Sequence, residues 1–217
     1  MVVSAREREQ RRSVAPGEDQ QVSCALFSDI CRAWDLEHRY RILDLGPASG
    51  ATVDFFSCFR CRLVIQDALD ELLELQRVMR ERDEAGDTTD LARCLAAVAD
   101  DKFDVVLCWD LLNFLHPDML VPFSQYLAAH MPAGGVVHAF INAYAEGEFA
   151  PGRYRIESAA QLRRSEPGQA PVECYRYTQP RLRQLMPRFK VRRSLLLRSG
   201  MQEYLLERQP DRRAPVL

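Results

Sequence analysis

Short apolar runs alternate with segments of helical periodicity along most of the chain. Apolar runs that predict buried strands lie at residues 42–45, 62–66, 102–109 and 136–141. Amphipathic stripes that predict helices lie at residues 22–37, 50–59, 69–82 and 117–131. Because strands and helices alternate in this order, we predict an α/β fold, a three-layer sandwich around a mostly parallel, doubly wound sheet.

The C-terminal third departs from this alternation. Residues 189–197 and 202–207 are apolar and flank Ser199-Gly200, which predicts an antiparallel hairpin that closes the sheet. Residues 142–174 lack periodicity, are rich in Gly, Pro and Arg, and are too long to be a plain connector. Residues 142–174 therefore form an insert in the predicted domain.

Length and composition favour one domain with a sizeable core. We expect a charged, frayed or disordered arm at residues 1–21, the domain at residues 22–208 and a flexible tail at residues 209–217. No apolar run approaches the length of a membrane span, and the N-terminus has no apolar signal core. The seven cysteines are irregularly spaced, which suits reduced thiols. These features favour a cytoplasmic protein.

The charge pattern limits the classes of partner. A formal net charge of −2 gives no indication of nucleic-acid binding. Acids dominate from Asp67 to Asp118, however, and bases dominate from Arg153 to Arg198. Two interpretations stay open: a solvated surface whose halves balance each other, or a basic surface for an anionic substrate or an acidic protein partner. Cys58-Phe59-Arg60-Cys61 is a single C-x-x-C pair without a second ligand pair, so no metal site is expected.

The turn at residues 46–50 carries the most specific chemistry. The apolar run at 42–45 leads into Gly46-Pro47-Ala48-Ser49-Gly50, and a helix follows. Glycine lets a ligand approach the backbone closely, and the start of the helix offers free N–H groups. Asp67 ends the next apolar run, roughly twenty residues after the first glycine, where a carboxylate accepts hydrogen bonds from ribose hydroxyls. This layout predicts a nucleotide site.

The segment Leu43-Asp44-Leu45-Gly46-Pro47-Ala48-Ser49-Gly50 resembles motif I of class I S-adenosylmethionine-dependent methyltransferases, in which an acid and one residue precede Gly-x-Gly-x-Gly. One departure is Ala48, which replaces the middle glycine and narrows the approach to the ligand. The resemblance implies S-adenosylmethionine as cofactor. It implies contacts to that cofactor from Asp44, Gly46, Pro47, Ala48, Ser49, Gly50, Asp67, Cys108 and Trp109.

The family's third strand is missing from the pattern. It is expected after residue 82, where the chain is polar and turn-like and then reads as a helix at residues 91–99. The third strand is therefore expected to be short, irregular or lost. In contrast, Pro132-Ala133-Gly134-Gly135 before an apolar run is typical of the family's fifth strand.

The resemblance implies methyl transfer, and we expect a small-molecule acceptor, with an anionic molecule as one option. The alternative is a methyltransferase-fold protein that has lost catalysis and acts as a binding or scaffold partner. An NAD-dependent oxidoreductase is a weaker third option, because the chain ends in a hairpin and has no Tyr-x-x-x-Lys pair.

Acid–base and substrate residues are expected beyond the fourth and fifth strands, since ligands of open sheets bind at the carboxyl ends of strands. Asp110 and His116 are candidates for acid–base catalysis, although a histidine before proline also suits the start of a helix. The insert and the segment after Leu107 are expected to wall the substrate pocket. Candidate substrate residues are Phe114, Tyr144, Arg153 and Arg155.

Overall fold

Helices and strands alternate as the apolar pattern predicts. The computed structural model describes residues 19–35, 37–82, 88–98, 101–142, 147–166, 168 and 170–211. No helix within these ranges is long and apolar enough to span a membrane. In chain order the elements are β1 (Gln20–Ser23), α1 (Ala25–Arg32), β2 (Tyr40–Asp44), α2 (Gly50–Ser57), β3 (Cys61–Ile65), α3 (Leu69–Arg82), α4 (Thr88–Cys94), β4 (Val105–Trp109), α5 (Pro117–Ala129), β5 (Val136–Asn142), β6 (Gly147–Phe149), β7 (Arg153–Ser158), β8 (Gln161–Ser165), β9 (Val172–Cys174), α6 (Gln179–Leu185), β10 (Phe189–Leu196) and β11 (Met201–Arg208), with 3₁₀ turns at Ala96–Val98 and Leu111–Phe114.

A six-stranded sheet in the order β3-β2-β4-β5-β11-β10 forms the centre of the fold. Strands β3, β2, β4 and β5 are parallel, whereas β11 is antiparallel to both β5 and β10. Leu43 of β2 lies opposite Val106 of β4, so the strand before the glycine turn and the predicted fourth strand are neighbours. The predicted mostly parallel sheet with an antiparallel C-terminal hairpin is confirmed.

Two apolar clusters cover the two faces of this sheet and create the three layers. Because side chains alternate along a strand, Leu43 points to one face and Ile42 to the other. Helices α3 to α6 pack on the Leu43 face. Helices α1 and α2 pack on the Ile42 face together with a small sheet in the order β1-β8-β7. The glycine turn therefore lies between the sheet and the layer that contains the insert.

The connection from β3 to β4 explains the missing third strand. Between these two strands the described residues contain helices α3 and α4 and a 3₁₀ turn, but no strand. β3 is therefore an edge strand. The Gln66 side-chain amide donates a hydrogen bond to the Cys94 carbonyl and ties the end of α4 to the end of β3. The expectation of a lost third strand is confirmed for the part of this connection that the structure describes.

The N-terminal boundary differs from the prediction. Gln20 and Gln21, assigned to a disordered arm, belong to β1, and the predicted helix at 22–37 is shorter, since α1 runs from Ala25 to Arg32. The reason is a partner far along the chain: β1 pairs with β8, with Gln21 opposite Arg163. No local pattern reveals such a partner. The tail at 209–217 is described only as far as Asp211.

The insert is built largely of strands. β7 and β8 form a hairpin that β1 extends, and β6 pairs with β9. β7 lies against α2, where the Ile156 N–H donates a hydrogen bond to Thr52 Oγ1 at 3.4 Å. The insert thus covers the helix that follows the glycine turn.

Candidate functional site

The glycine turn leads directly into α2, and its last residues form the N-terminal cap of that helix. Ser49 caps the helix, because its Oγ accepts a hydrogen bond from the Thr52 N–H at 3.1 Å. Ala48 and Gly50 are exposed, whereas Gly46 is buried. The turn therefore presents backbone to solvent at residues 48–50, next to the positive end of the helix dipole, where an anionic group is favoured.

Asp44 ends β2 beneath this turn and is only 2% exposed. Its Oδ1 accepts hydrogen bonds from the Gly46 N–H at 3.0 Å and from Trp109 Nε1 at 2.6 Å. Burial raises the pKa of Asp44 to about 7, although both hydrogen bonds lower it. The carboxyl group of Asp44 thus joins the glycine turn to the end of β4.

Asp67 follows the neighbouring strand β3 and is exposed. Partial burial raises its pKa, and the nearby Asp70 raises it further. Arg153 of β7 opposes this rise through its positive charge. The charge of the predicted substrate residue Arg153 therefore acts on the predicted cofactor residue Asp67.

Trp109 adopts an unusual conformation at the end of β4. Its φ is +48°, and it is the only non-glycine residue in the described part of the chain with a positive φ. Its indole lies directly over Gly46: a Cβ atom at Gly46 would be 2.7 Å from Trp109 Cδ1. The same indole stacks on Tyr154 of β7, with ring centroids 5.3 Å apart and planes 6° apart. Trp109, a predicted cofactor residue, thus fills the space above the first glycine.

Asp110 fastens the insert to the end of β4. Its Oδ2 accepts hydrogen bonds from the Gly152 N–H at 2.9 Å and from the Tyr154 hydroxyl at 3.3 Å, and Arg164 Nη2 lies 3.9 Å away. Burial raises the pKa of Asp110 to about 6, although the positive charge of Arg164 opposes the shift. This acid–base candidate is therefore engaged in a buried network with the insert. Tyr154 was predicted only as a residue of the insert that could bind substrate, and Arg164 was not predicted as a site residue, since its role depends on contacts made across the insert.

Two other predicted residues point into the core. Cys108 and Phe114 are fully buried, and Cys108 belongs to the cluster on the Leu43 face of the sheet. Burial raises the pKa of the Cys108 thiol far above its ordinary value. The Cys108 side chain therefore lies on the face of the sheet opposite the insert hairpin.

The remaining candidates are dispersed. His116 precedes α5, and its Nδ1 accepts a hydrogen bond from the Asp118 N–H at 3.3 Å, which is a helix-capping contact. Arg155 forms an ion pair with Asp19 at 2.5 Å. Tyr144 lies outside the described residues.

A cavity of about 330 Å³ lies beside the segment that follows β4. Its wall includes Pro117, Tyr175, Arg176 and Arg181. The Tyr175 N–H donates a hydrogen bond to the Asn113 carbonyl at 2.7 Å, which attaches this wall to the 3₁₀ turn after β4.

The cavity has a positive lining. Glu173, its acidic residue, is paired with Arg80 at 3.1 Å, outside the lining. No acidic side chain among the described residues lies within 4.0 Å of the guanidinium of Arg176 or Arg181. From the sequence, these two arginines were noticed only as members of the basic segment from Arg153 to Arg198, and not as residues of a cavity.

Comparisons with known proteins place this architecture. No protein-family model matches the chain, and a search of characterised proteins finds no significant match. Among solved structures, a SAM-dependent methyltransferase from Methanosarcina mazei is 14% identical, with 87% of this chain and 99% of that chain covered and a TM-score of 0.52.

Two further structures are similar at lower TM-scores. A methyltransferase from Clostridium acetobutylicum is 14% identical over 78% of this chain and 84% of its own, with a TM-score of 0.49. The 1,6-didemethyltoxoflavin-N1-methyltransferase from Burkholderia thailandensis, solved with S-adenosylhomocysteine, is 19% identical over 85% of this chain and 77% of its own, with a TM-score of 0.44. The likeness to the Methanosarcina protein shows that this chain has the fold of class I SAM-dependent methyltransferases.

Proposed function

We propose that the protein binds S-adenosylmethionine at the carboxyl ends of β2 and β3 and transfers a methyl group to a small molecule. One observation carries the proposal. The exposed turn at residues 48–50 and the exposed Asp67 lie at the ends of adjacent strands, on the edge of the sheet where open α/β folds bind their ligands. The methyltransferase fold supports the same assignment.

The residues of the site fit two parts of this cofactor, its ribose and its carboxylate. Asp67 is positioned to accept hydrogen bonds from ribose hydroxyls, and Arg153 restrains the rise of its pKa, which favours the ionised form. The free N–H groups at the start of α2 suit a carboxylate. When bound, S-adenosylmethionine supplies an electrophilic methyl group on a sulfonium. The chain's own residues then need mainly to hold the acceptor in line, since positioning alone lowers such a barrier substantially.

For the acceptor we propose an anionic small molecule in the 330 Å³ cavity. Arg176 and Arg181 are the groups that would hold its charge, because neither guanidinium is paired with a carboxylate among the described residues. His116 stands near the same wall, with its ring 5.2 Å from that of Tyr175. His116 is therefore the available group for an acceptor that arrives protonated.

A second candidate function is favoured by the indole over Gly46. If Trp109 never leaves this position, the turn has lost part of its ligand surface. The protein would then be a methyltransferase-fold binding protein, with its basic C-terminal segment facing an acidic protein partner.

Calorimetric titration with S-adenosylmethionine, and in parallel with NAD, separates these functions. We expect saturable binding of the first ligand and none of the second. Absence of S-adenosylmethionine binding would reject the enzyme and leave the binding protein. Binding of NAD alone would indicate the oxidoreductase.

The acceptor is tested with methyl-labelled cofactor and a panel of small carboxylates and phosphates. The Arg176→Gln/Arg181→Gln variant should lose most of the turnover of any acceptor found, with unchanged cofactor affinity. Arg183→Gln is the matched control, because Arg183 lies exposed on the same helix α6 and outside the cavity lining. Equal turnover in all three proteins would remove the cavity from the proposal.

A further inference from the structure

Trp109 is held in a conformation that its own backbone disfavours. A φ of +48° is a left-handed conformation that bulky side chains rarely adopt. The pairing register between β4 and β5 also shifts between Leu107 and Trp109. Such an irregularity re-aims a side chain at the end of a strand. The contacts of the indole must therefore compensate for the conformation of the backbone.

Three contacts hold the indole, one of which is an edge-to-face contact with the His138 ring at a centroid distance of 6.0 Å. Its Nε1–H donates to the buried Asp44 carboxyl group at 2.6 Å. Its ring stacks on Tyr154, which in turn stacks on Phe140 with centroids 5.2 Å apart and planes 19° apart. Tyr154 is fixed at its hydroxyl by Asp110, so a movement of the indole alone would break its bond to Asp44 and its stacking contact but leave the bond between Tyr154 and Asp110 intact.

The indole excludes any ligand from the face of Gly46. The position of a Cβ atom on Gly46 is 2.7 Å from Cδ1 and 2.9 Å from Nε1 of Trp109, which leaves no room for another atom. Ala48, Gly50 and Asp67 remain exposed beside it. The glycine turn is therefore half covered and half open.

We propose that Trp109 is a gate over the glycine turn, whose indole covers Gly46 in the conformation described above and leaves it when the cofactor binds. This inference rests on the proposed cofactor binding. A change in the backbone of Trp109 between β4 and the 3₁₀ turn would carry the indole away and free an acceptor oxygen of Asp44 for the ligand. Because only the open form binds fully, the closed gate lowers the apparent affinity in proportion to the population of the open form.

Fluorescence reports the gate directly, since the chain has only two tryptophans, Trp34 and Trp109. Trp34 stacks on Tyr40, and Trp34→Phe keeps an aromatic ring there while leaving Trp109 as the sole reporter. The probe is S-adenosylhomocysteine, which carries no transferable methyl group. On saturation we expect emission at longer wavelength and stronger quenching by acrylamide, because the buried indole becomes exposed.

Affinity supplies the second readout and needs variants of the gate itself. Trp109→Ala should bind S-adenosylhomocysteine about tenfold more tightly than the wild type in calorimetry, since nothing has to be displaced. Trp109→Phe keeps a ring but loses the bond to Asp44, so we expect an intermediate gain. If Trp109→Ala does not fold, Trp109→Phe and the single-tryptophan protein Trp34→Phe still test the gate.

The possible results separate the gate from the proposed function. Binding without an emission change, and with no gain in Trp109→Phe or Trp109→Ala, overturns the gate but not cofactor binding. Binding by Trp109→Ala but not by the wild type shows a fixed plug and also overturns the gate. If no variant binds, the proposed function fails and the gate fails with it.

Discussion

Replacing Glu203 with alanine should detach α1 from the central sheet. Glu203 lies on β11 and is completely buried. Its Oε1 accepts hydrogen bonds from the Leu26 and Phe27 N–H groups at 3.0 and 2.9 Å, and His138 Nε2 lies 2.9 Å away. Cys24 at the N-cap of α1 provides no side-chain cap, so Glu203 satisfies two free N–H groups of the helix.

The magnitude follows from the groups left behind. Glu203→Ala strands two buried N–H donors at a cost of about 1–3 kcal/mol each, and it breaks a buried pair with His138. The two stranded donors together cost about 2–6 kcal/mol, so we expect a total loss of unfolding free energy of about 4 kcal/mol. Glu203→Gln keeps an acceptor oxygen, and its loss should be about half as large.

Urea unfolding followed by circular dichroism measures both losses. Glu207→Ala is the control, because Glu207 lies on the same strand, 34% exposed, and its ion pair with Arg192 spans 3.8 Å. We expect the control to lose less than about 1 kcal/mol. A loss below about 1 kcal/mol for Glu203→Ala would refute the assigned role of this carboxylate as the cap of α1.

Two further predictions concern the glycine turn. Burial raises the pKa of Asp44 from 3.8 to about 7, so the folded state binds more protons than the unfolded state between these values, and stability falls as pH rises through this window. Asp44→Asn cannot ionise, so its stability relative to that of the wild type should rise from pH 4 to pH 7 in urea titrations. A difference in unfolding free energy between the two proteins that does not change with pH would contradict this. Gly46→Ala should lose about 1–3 kcal/mol of unfolding free energy, because the added methyl group collides with Trp109. Gly50→Ala is the control: no atom lies within 4 Å of its added methyl group, so its unfolding free energy should change by less than about 1 kcal/mol. Equal changes in melting temperature for the two variants would disprove the close contact between Gly46 and Trp109.

Local patterns were sufficient to predict the central sheet. The apolar runs at β2, β4 and β5 bury both faces, so they stand out as continuous stretches in the sequence. The glycine turn was predictable because its conformation and the cap by Ser49 depend on residues close in sequence. The polar stretch after Arg82 likewise indicated that a strand was missing.

Contacts between distant segments account for what was not predicted. β1 pairs with β8, which is far away in the sequence, and the cap of α1 comes from Glu203, 177 positions from Leu26. The stack of Trp109 on Tyr154 depends on a positive φ and on the fold of the insert, neither of which has a sequence signal. Most residues that line the cavity lie within residues 173–181, and composition revealed only the positive charge of this segment.

We propose that Asp67 belongs to a site for S-adenosylmethionine. The most direct test of this proposal is calorimetric titration of the wild type, Asp67→Ala and Asp70→Ala with this ligand. Asp70 is the matched control, since it is an exposed acid on the first turn of α3, close enough to influence Asp67. A lost charge-assisted hydrogen bond is worth about 1.5–3 kcal/mol, so Asp67→Ala should bind at least about tenfold more weakly. Asp70→Ala should bind like the wild type, and equal affinities in all three proteins, or no binding by the wild type, would contradict the account.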